Sequence, residues 1–267
     1  MKRKIAMFIV SIFFTSTIGY GQSEVERSLG KFTGLKVTQN IDAVLLKGET
    51  NKLVLTISGI KPDKVLSDIS EGTLVLGFKN DKKLEGVAVS AKIYQSGEMG
   101  LIESNSSASL VVKDLDYANS VVVRSTGSST MQLEAVTSKL KVSVSASSKL
   151  VMKAKSESAK ISISSSGKAQ LDINTKTTDA TVASKGRLDI VGSTDSQKIN
   201  VSSSGKYMGY GLKSKTLTGQ ASNSGRAEVS VSESILVNVV SGGKVFYKGD
   251  PKVKVNSTSS GKVEKVE

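Results

Sequence analysis

Between Ser104 and Lys262 one short phrase returns nine times, and that repetition limits what the chain can fold into more than any other feature. Its clearest copies are Ile161-Ser162-Ile163-Ser164-Ser165-Ser166-Gly167-Lys168 and Ile199-Asn200-Val201-Ser202-Ser203-Ser204-Gly205-Lys206. Aligning the copies gives one column at Ser107, Gly127, Ser148, Gly167, Gly186, Gly205, Gly225, Gly243 and Gly261, with successive members 18 to 21 residues apart. A fixed period of that size, with no helix-forming segment inside it, is the mark of a β-solenoid, in which each repeat buries its apolar face only by stacking on its neighbours.

Each copy reads as one coil. Before the glycine, apolar residues alternate with small polar ones: Val142 and Val144, Ile161 and Ile163, Val237 and Val239. After it the alternation resumes with Leu150 and Met152, Ala169 and Leu171, Leu188 and Ile190. A period of two puts these side chains on one face of a strand and the Ser, Thr and Lys residues on the other. The glycine column (Gly127, Gly167, Gly186, Gly205, Gly225, Gly243, Gly261) is expected to form the turn by adopting positive φ, which costs glycine nothing sterically. Ser107 and Ser148 interrupt it. Two residues earlier runs a polar column, Asn105, Ser125, Ala146, Ser165, Ser184, Ser203, Asn223, Ser241 and Ser259. Strand parity predicts that it points inward, bonded from coil to coil as an internal ladder.

The flanks and the composition suit an exported all-β protein. Residues 1–21 read as an export signal: Lys2-Arg3-Lys4, an apolar run from Ile5 to Phe14, then small residues before Gln22. The run is too short to anchor in a bilayer, and no Cys follows it to carry a lipid. The expected location is therefore the periplasm, the outer-membrane surface or the outside of the cell, with no transmembrane segment left once the signal is removed. With 0 Cys and 0 His, disulfides, thiolate metal sites and a Ser-His-Asp triad are all ruled out. Neither a cofactor nor a metal is expected, since the Gly-Gly-x-Gly-x-Asp calcium repeat is also missing. Loss of three cations with the signal lowers the net charge from +13 to about +10, which favours acidic partners.

Residues 22–100 have a different texture. Leu35–Val37, Ala43–Leu46, Leu53–Ile57, Thr73–Leu76 and Val87–Val89 read as strands, and Lys61-Pro62-Asp63-Lys64 as a single helical turn. This N-terminal β-region is expected to start and cap the solenoid, with the regular repeats filling 101–267. Phe32-Thr33-Gly34-Leu35-Lys36-Val37, followed by Ile41-Asp42-Ala43-Val44-Leu45-Leu46-Lys47-Gly48, resembles the opening of the auto-transporter adhesin head GIN domain family. Gly72-Thr73-Leu74-Val75-Leu76 and the Ser-Gly phrases agree, so the resemblance covers nearly all of the chain after the signal. It implies a right-handed parallel β-helix in an exported protein of Bacteroidetes-type bacteria, and it brings no catalytic or ligand residues. The length leaves no room for a membrane barrel, so the chain is expected to be a head without a translocator.

The residue after the turn carries the functional reading. Down the coils it is Ala108, Ser128, Lys149, Lys168, Arg187, Lys206, Arg226, Lys244 and Lys262, seven basic residues in succession. Stacked at strand spacing, they predict a basic ridge for an acidic polysaccharide or similar polyanion, with no specific nucleic acid implied. The alternative is a solvated turn where Lys and Arg only block aggregation. Two other classes stand beside a binding protein. Flat Ser- and Thr-rich faces permit a structural role or a homo-oligomer, and β-helices can host polysaccharide-active enzymes. The near-constant spacing leaves no long loops to build a catalytic groove, so the chain reads as a non-enzyme. Tyr207 and Tyr247 fall on the inward parity, which leaves few exposed aromatics to stack neutral sugars.

Overall fold

A computed structural model describes residues 12–14, 22–79 and 85–267. The protein is an all-β solenoid of about 9 turns, 70% strand. Each regular coil gives one strand to each of two parallel stacks. In the middle of the molecule the two strands run almost without a break through a gentle bend, as in Lys149–Ile163, Lys168–Val182 and Arg187–Val201. Partners lie in register along nearly the whole length, for example Leu150 on Ala169 and Ile163 on Val182. The alternation read from the sequence becomes the core: Val142, Ile161, Ala180, Ile199, Leu188 and Ile190 are all buried.

The sharp turn between coils is built differently from expectation. Positive φ falls on the two residues before the glycine, such as Ser165 (48°) with Ser166 (61°) and Ser203 (50°) with Ser204 (59°). Of the glycine column only Gly127 has positive φ, at 65°, and Gly127 occupies the first position of such a pair. The true turn column therefore begins Ala108, Ser129, Ser148 and continues through Gly167 to Gly261, as shown by the matching bonds from Ala108 N–H to Asn105 O and from Gly167 N–H to Ser164 O. From Gly167 onward glycine admits a close approach between coils that the Ala108, Ser129 and Ser148 turns do not share. A Cβ on Gly167 would sit 2.7 Å from the Val144 carbonyl oxygen, and one on Gly205 2.3 Å from that of Val182.

The polar column is corrected for the same reason. Two left-handed residues interrupt the period of two, so Ser165, Ser184, Ser203, Asn223, Ser241 and Ser259 face solvent. Their coil-to-coil bonds come from the backbone, with Ser166 N–H donating to Ser184 O and Ser204 N–H to Asn223 O at 3.0 Å each. Ser125 alone in that column is buried, its hydroxyl 3.0 Å from that of Ser129. A left-handed L-residue costs about 1–2 kcal/mol, and this bonding along the stack offsets it.

The N-terminal end is closed by antiparallel strands. Gly34–Val37 and Asp42–Lys47 form one coil. Glu98–Ser104 and Ser109–Lys113 stack on its inner side. Thr73–Phe78 and Ala88–Gln95 stack on its outer side, so chain order and stacking order differ. Beyond them Val65–Ser70 pairs antiparallel with Thr73–Phe78, and Lys52–Ser58 pairs antiparallel with Ala88–Gln95 and with Gln22–Ser28. Arg27 ties these outer strands together by donating to the carbonyl oxygens of Pro62 (2.7 Å) and Val65 (3.0 Å). The helical turn at Pro62–Lys64 is a single 3-10 turn. The export signal read into 1–21 lies outside the described residues, apart from a strand at Ile12–Phe14 paired with Gln22–Ser28. At the far end Lys252–Ser257 is exposed along its whole length. No helix among the described residues is long and apolar enough to cross a membrane.

Candidate functional site: a ladder of cations

The strand that leaves each sharp turn begins with the basic residue. Lys149 pairs with Lys168, Lys168 with Arg187, Arg187 with Lys206, Lys206 with Arg226, Arg226 with Lys244, and Lys244 with Lys262. All seven stand in one register on the outer face, while the next residues inward (Leu150, Ala169, Leu188, Tyr207, Ala227, Val245) are buried. The first two rungs above them are Ser109 and Thr130, in place of Ala108 and Ser128, because the turn column shifts in those coils. Neighbouring rungs lie about 4.8 Å apart, where two unit charges repel by about 0.9 kcal/mol even in water.

The ladder is not uniform. Arg187 makes a two-pronged contact with Asp189, at 2.7 and 2.6 Å. That hydrogen bond holds the Arg187 pKa above its ordinary value. Arg226 bonds Glu228 through Nε (2.9 Å) and through its terminal nitrogen (2.7 Å), and its guanidinium lies 4.1 Å from the Phe246 ring centre. Lys262 pairs with Glu264 at 2.5 Å. In each case the acid is two residues further along the same strand and therefore on the same face. Lys149, Lys168, Lys206 and Lys244 have no ion-pair partner among the described residues; two residues beyond them stand Val151, Gln170, Met208 and Phe246. Lys185, exposed on the sharp turn before Arg187, adds a cation just outside the column. The acids at i+2 were legible in the sequence as Arg-x-Asp, Arg-x-Glu and Lys-x-Glu, but scanning a single column passes over them.

At the gentle bend, the other edge of the same solenoid, charge is arranged in the opposite way. Glu157, Lys176, Asp195 and Lys215 follow one another up the stack, joined as Glu157–Lys176 at 2.9 Å and Asp195–Lys215 at 2.8 Å. The bond from Lys176 lowers the Glu157 pKa, and its own pKa is raised in return. A shallow open groove of about 650 Å³ runs beside this edge, lined among others by Thr175, Thr194, Asp195, Ser214 and Lys248. Its hydroxyls are taken up by internal bonds, such as Ser214 Oγ donating to Ser230 O.

Tyr207 is fully buried, and its hydroxyl donates to Gln197 Oε1 at 2.7 Å. Gln197 Nε2 donates in turn to Ser214 Oγ at 2.7 Å. Tyr247 packs against the core but is only half-buried. Among the described residues no cluster of three or more acidic side chains could hold a metal ion.

The described residues thus form a β-solenoid with like charges stacked along one edge and alternating charges along the other. The family model for "Putative auto-transporter adhesin, head GIN domain" matches residues 31–169 and 150–251, and the chain belongs to that family. No curated protein matches the chain. Among solved structures, a putative adhesin from Parabacteroides merdae ATCC 43184 superposes with a TM-score of 0.69 at 19% identity, over 93% of this chain and 97% of that one. A putative lipid binding protein from Parabacteroides distasonis ATCC 8503 gives 0.71 at 17% identity, over 93% and 98%. A putative adhesin from the same organism gives 0.61 at 20% identity, over 93% and 98%. At such identities these likenesses establish the shared fold alone.

Proposed function

We propose that this is an exported, adhesin-like binding protein without catalytic activity, and that it engages an extended polyanion along the basic ladder. Lys149, Lys168, Lys206 and Lys244 are the contacting cations, with Arg187, Arg226 and Lys262 completing the surface. The observation that carries this reading is the contrast between the two edges. Glu157, Lys176, Asp195 and Lys215 alternate in sign and neutralise one another, whereas the ladder sets like charges on successive rungs and leaves four of them unpaired. Solubility alone is served by either arrangement. The ladder residues down to Arg226 also lie on strands paired on both sides, so blocking edge-to-edge association does not account for them. A bound polyanion relieves the repulsion between rungs and, through counterion release, binds in a salt-dependent way. The family's description as an adhesin supports a binding role.

The test is binding of the wild-type chain and of a K149S/K168S/K206S/K244S variant to acidic and neutral polysaccharides. The expected result is binding to acidic polymers only, weakened at least about tenfold in the variant while its melting temperature is kept, since exposed substitutions usually stay within about 0.5 kcal/mol. Equal binding by both proteins would overturn the assignment.

A further inference from the structure

We infer that the ladder is matched to an acidic polysaccharide carrying one anionic group per disaccharide, an inference that rests on the ladder being the binding surface. Along its central stretch the rungs alternate. Lys168, Lys206 and Lys244 are unpaired, while Arg187 and Arg226 between them are held by Asp189 and Glu228. The column two residues further along alternates with them, reading Gln170, Asp189, Met208, Glu228 and Phe246 in register. The face therefore repeats every two coils, about 9.6 Å at two strand spacings. One coil offers a free ammonium beside a neutral or apolar side chain, and the next offers a guanidinium already paired with a carboxylate on its own strand.

Glu228 is held firmly in that role: it is only 8% exposed and Arg226 donates to it twice. An anion opposite such a rung meets a guanidinium that is already neutralised, together with the acid that neutralises it. A polymer charged at every sugar sets half its charges there. A nucleic acid strand, charged at every nucleotide, likewise sets phosphates opposite the paired rungs. Two extended pyranose rings reach about as far as two rungs, so one carboxylate per disaccharide meets Lys168, Lys206 and Lys244 in turn. The charged rings then lie beside Met208 and Phe246, in the same coils as Lys206 and Lys244, and the neutral rings between them lie over the Arg187–Asp189 and Arg226–Glu228 pairs. Lys185 adds an exposed cation on the turn before Arg187, so the alternation is cleanest from Lys206 through Arg226 to Lys244.

The experiment measures affinity of the full chain for length-matched hyaluronan (one carboxylate per disaccharide), polygalacturonate (one per sugar), single-stranded DNA and uncharged dextran at one ionic strength. A D189N/E228Q variant, which frees Arg187 and Arg226, runs beside wild type. D189N alone is included because Asp189 is half-exposed and its loss leaves the partly buried Arg226–Glu228 contact intact. The expected result is hyaluronan bound at least about tenfold more tightly than polygalacturonate by wild type, with the preference reduced by D189N and abolished in the double variant. Wild-type affinity that simply follows charge density, with polygalacturonate or DNA tightest, overturns the spacing match and leaves the polyanion surface standing. Absence of binding to every charged polymer overturns both.

Discussion

At the sharp turn, adjacent residues do opposite jobs, and substitutions there separate them. Ser204 carries the left-handed backbone at φ 59°, while Gly205 lets the coil sit against the Val182 carbonyl. Ser204→Gly relieves a strain of about 1–2 kcal/mol against a glycine entropy cost of about 0.5–1 kcal/mol, so a net gain of roughly 0.5–1 kcal/mol is expected. Gly205→Ala forces a Cβ to 2.3 Å from a backbone oxygen and is expected to cost roughly 1–3 kcal/mol. Urea midpoints of the two variants should move in opposite directions. If Gly205→Ala is neutral, close approach is not what the glycine provides. This turn is also the least legible feature of the sequence. The glycines are visible, but their letter does not show the left-handed pair that sets the register. Gly127 therefore belongs to the left-handed pair rather than to the turn-closing column, and the polar residues two before each glycine face solvent rather than the core. The basic column from Lys149 onward was legible because those coils share one turn length.

At the scale of the element, the most specific internal contact joins Tyr207, in the coil beginning at Lys206, to Gln197 of the preceding coil. Burial raises the Tyr207 pKa above its ordinary value near 10. The folded state then keeps the phenol proton after the unfolded chain has lost it, so this contribution to stability is full below about pH 10 and falls as pH rises beyond it. Tyr207→Phe should flatten the alkaline fall in stability relative to wild type and cost about 1–3 kcal/mol at neutral pH by leaving Gln197 Oε1 unpaired. Denaturation midpoints from about pH 9 to about pH 11 check both, and parallel curves for the two proteins would contradict the assignment. Tyr117, also raised by burial, remains in both and cancels in the comparison. The inward parity of Tyr207 was legible, because a strand alternates strictly. The order of the N-terminal strands was not. Gly34–Val37 pairs with Thr73–Phe78 on one side and Glu98–Ser104 on the other, partners that no local pattern reveals.

At the scale of the molecule, the solenoid sets the rung spacing for every outward column, and sequence alone decides whether a column neutralises itself. The two edges of this protein make that choice in opposite ways, which provides an internal control. The direct measurement is the salt dependence of hyaluronan binding for wild type, for K149S/K168S/K206S/K244S on the ladder, and for a K176S/K215S variant on the alternating edge. The slope of log affinity against log salt measures how strongly the binding depends on unscreened charge. Wild type and the K176S/K215S variant should share one steep slope, and the ladder variant should lose most of it together with its affinity. A ladder variant that keeps the wild-type slope would show that these lysines do not engage the polymer, and losses in both variants in proportion to the charge removed would show that net charge rather than the ladder draws the polymer in.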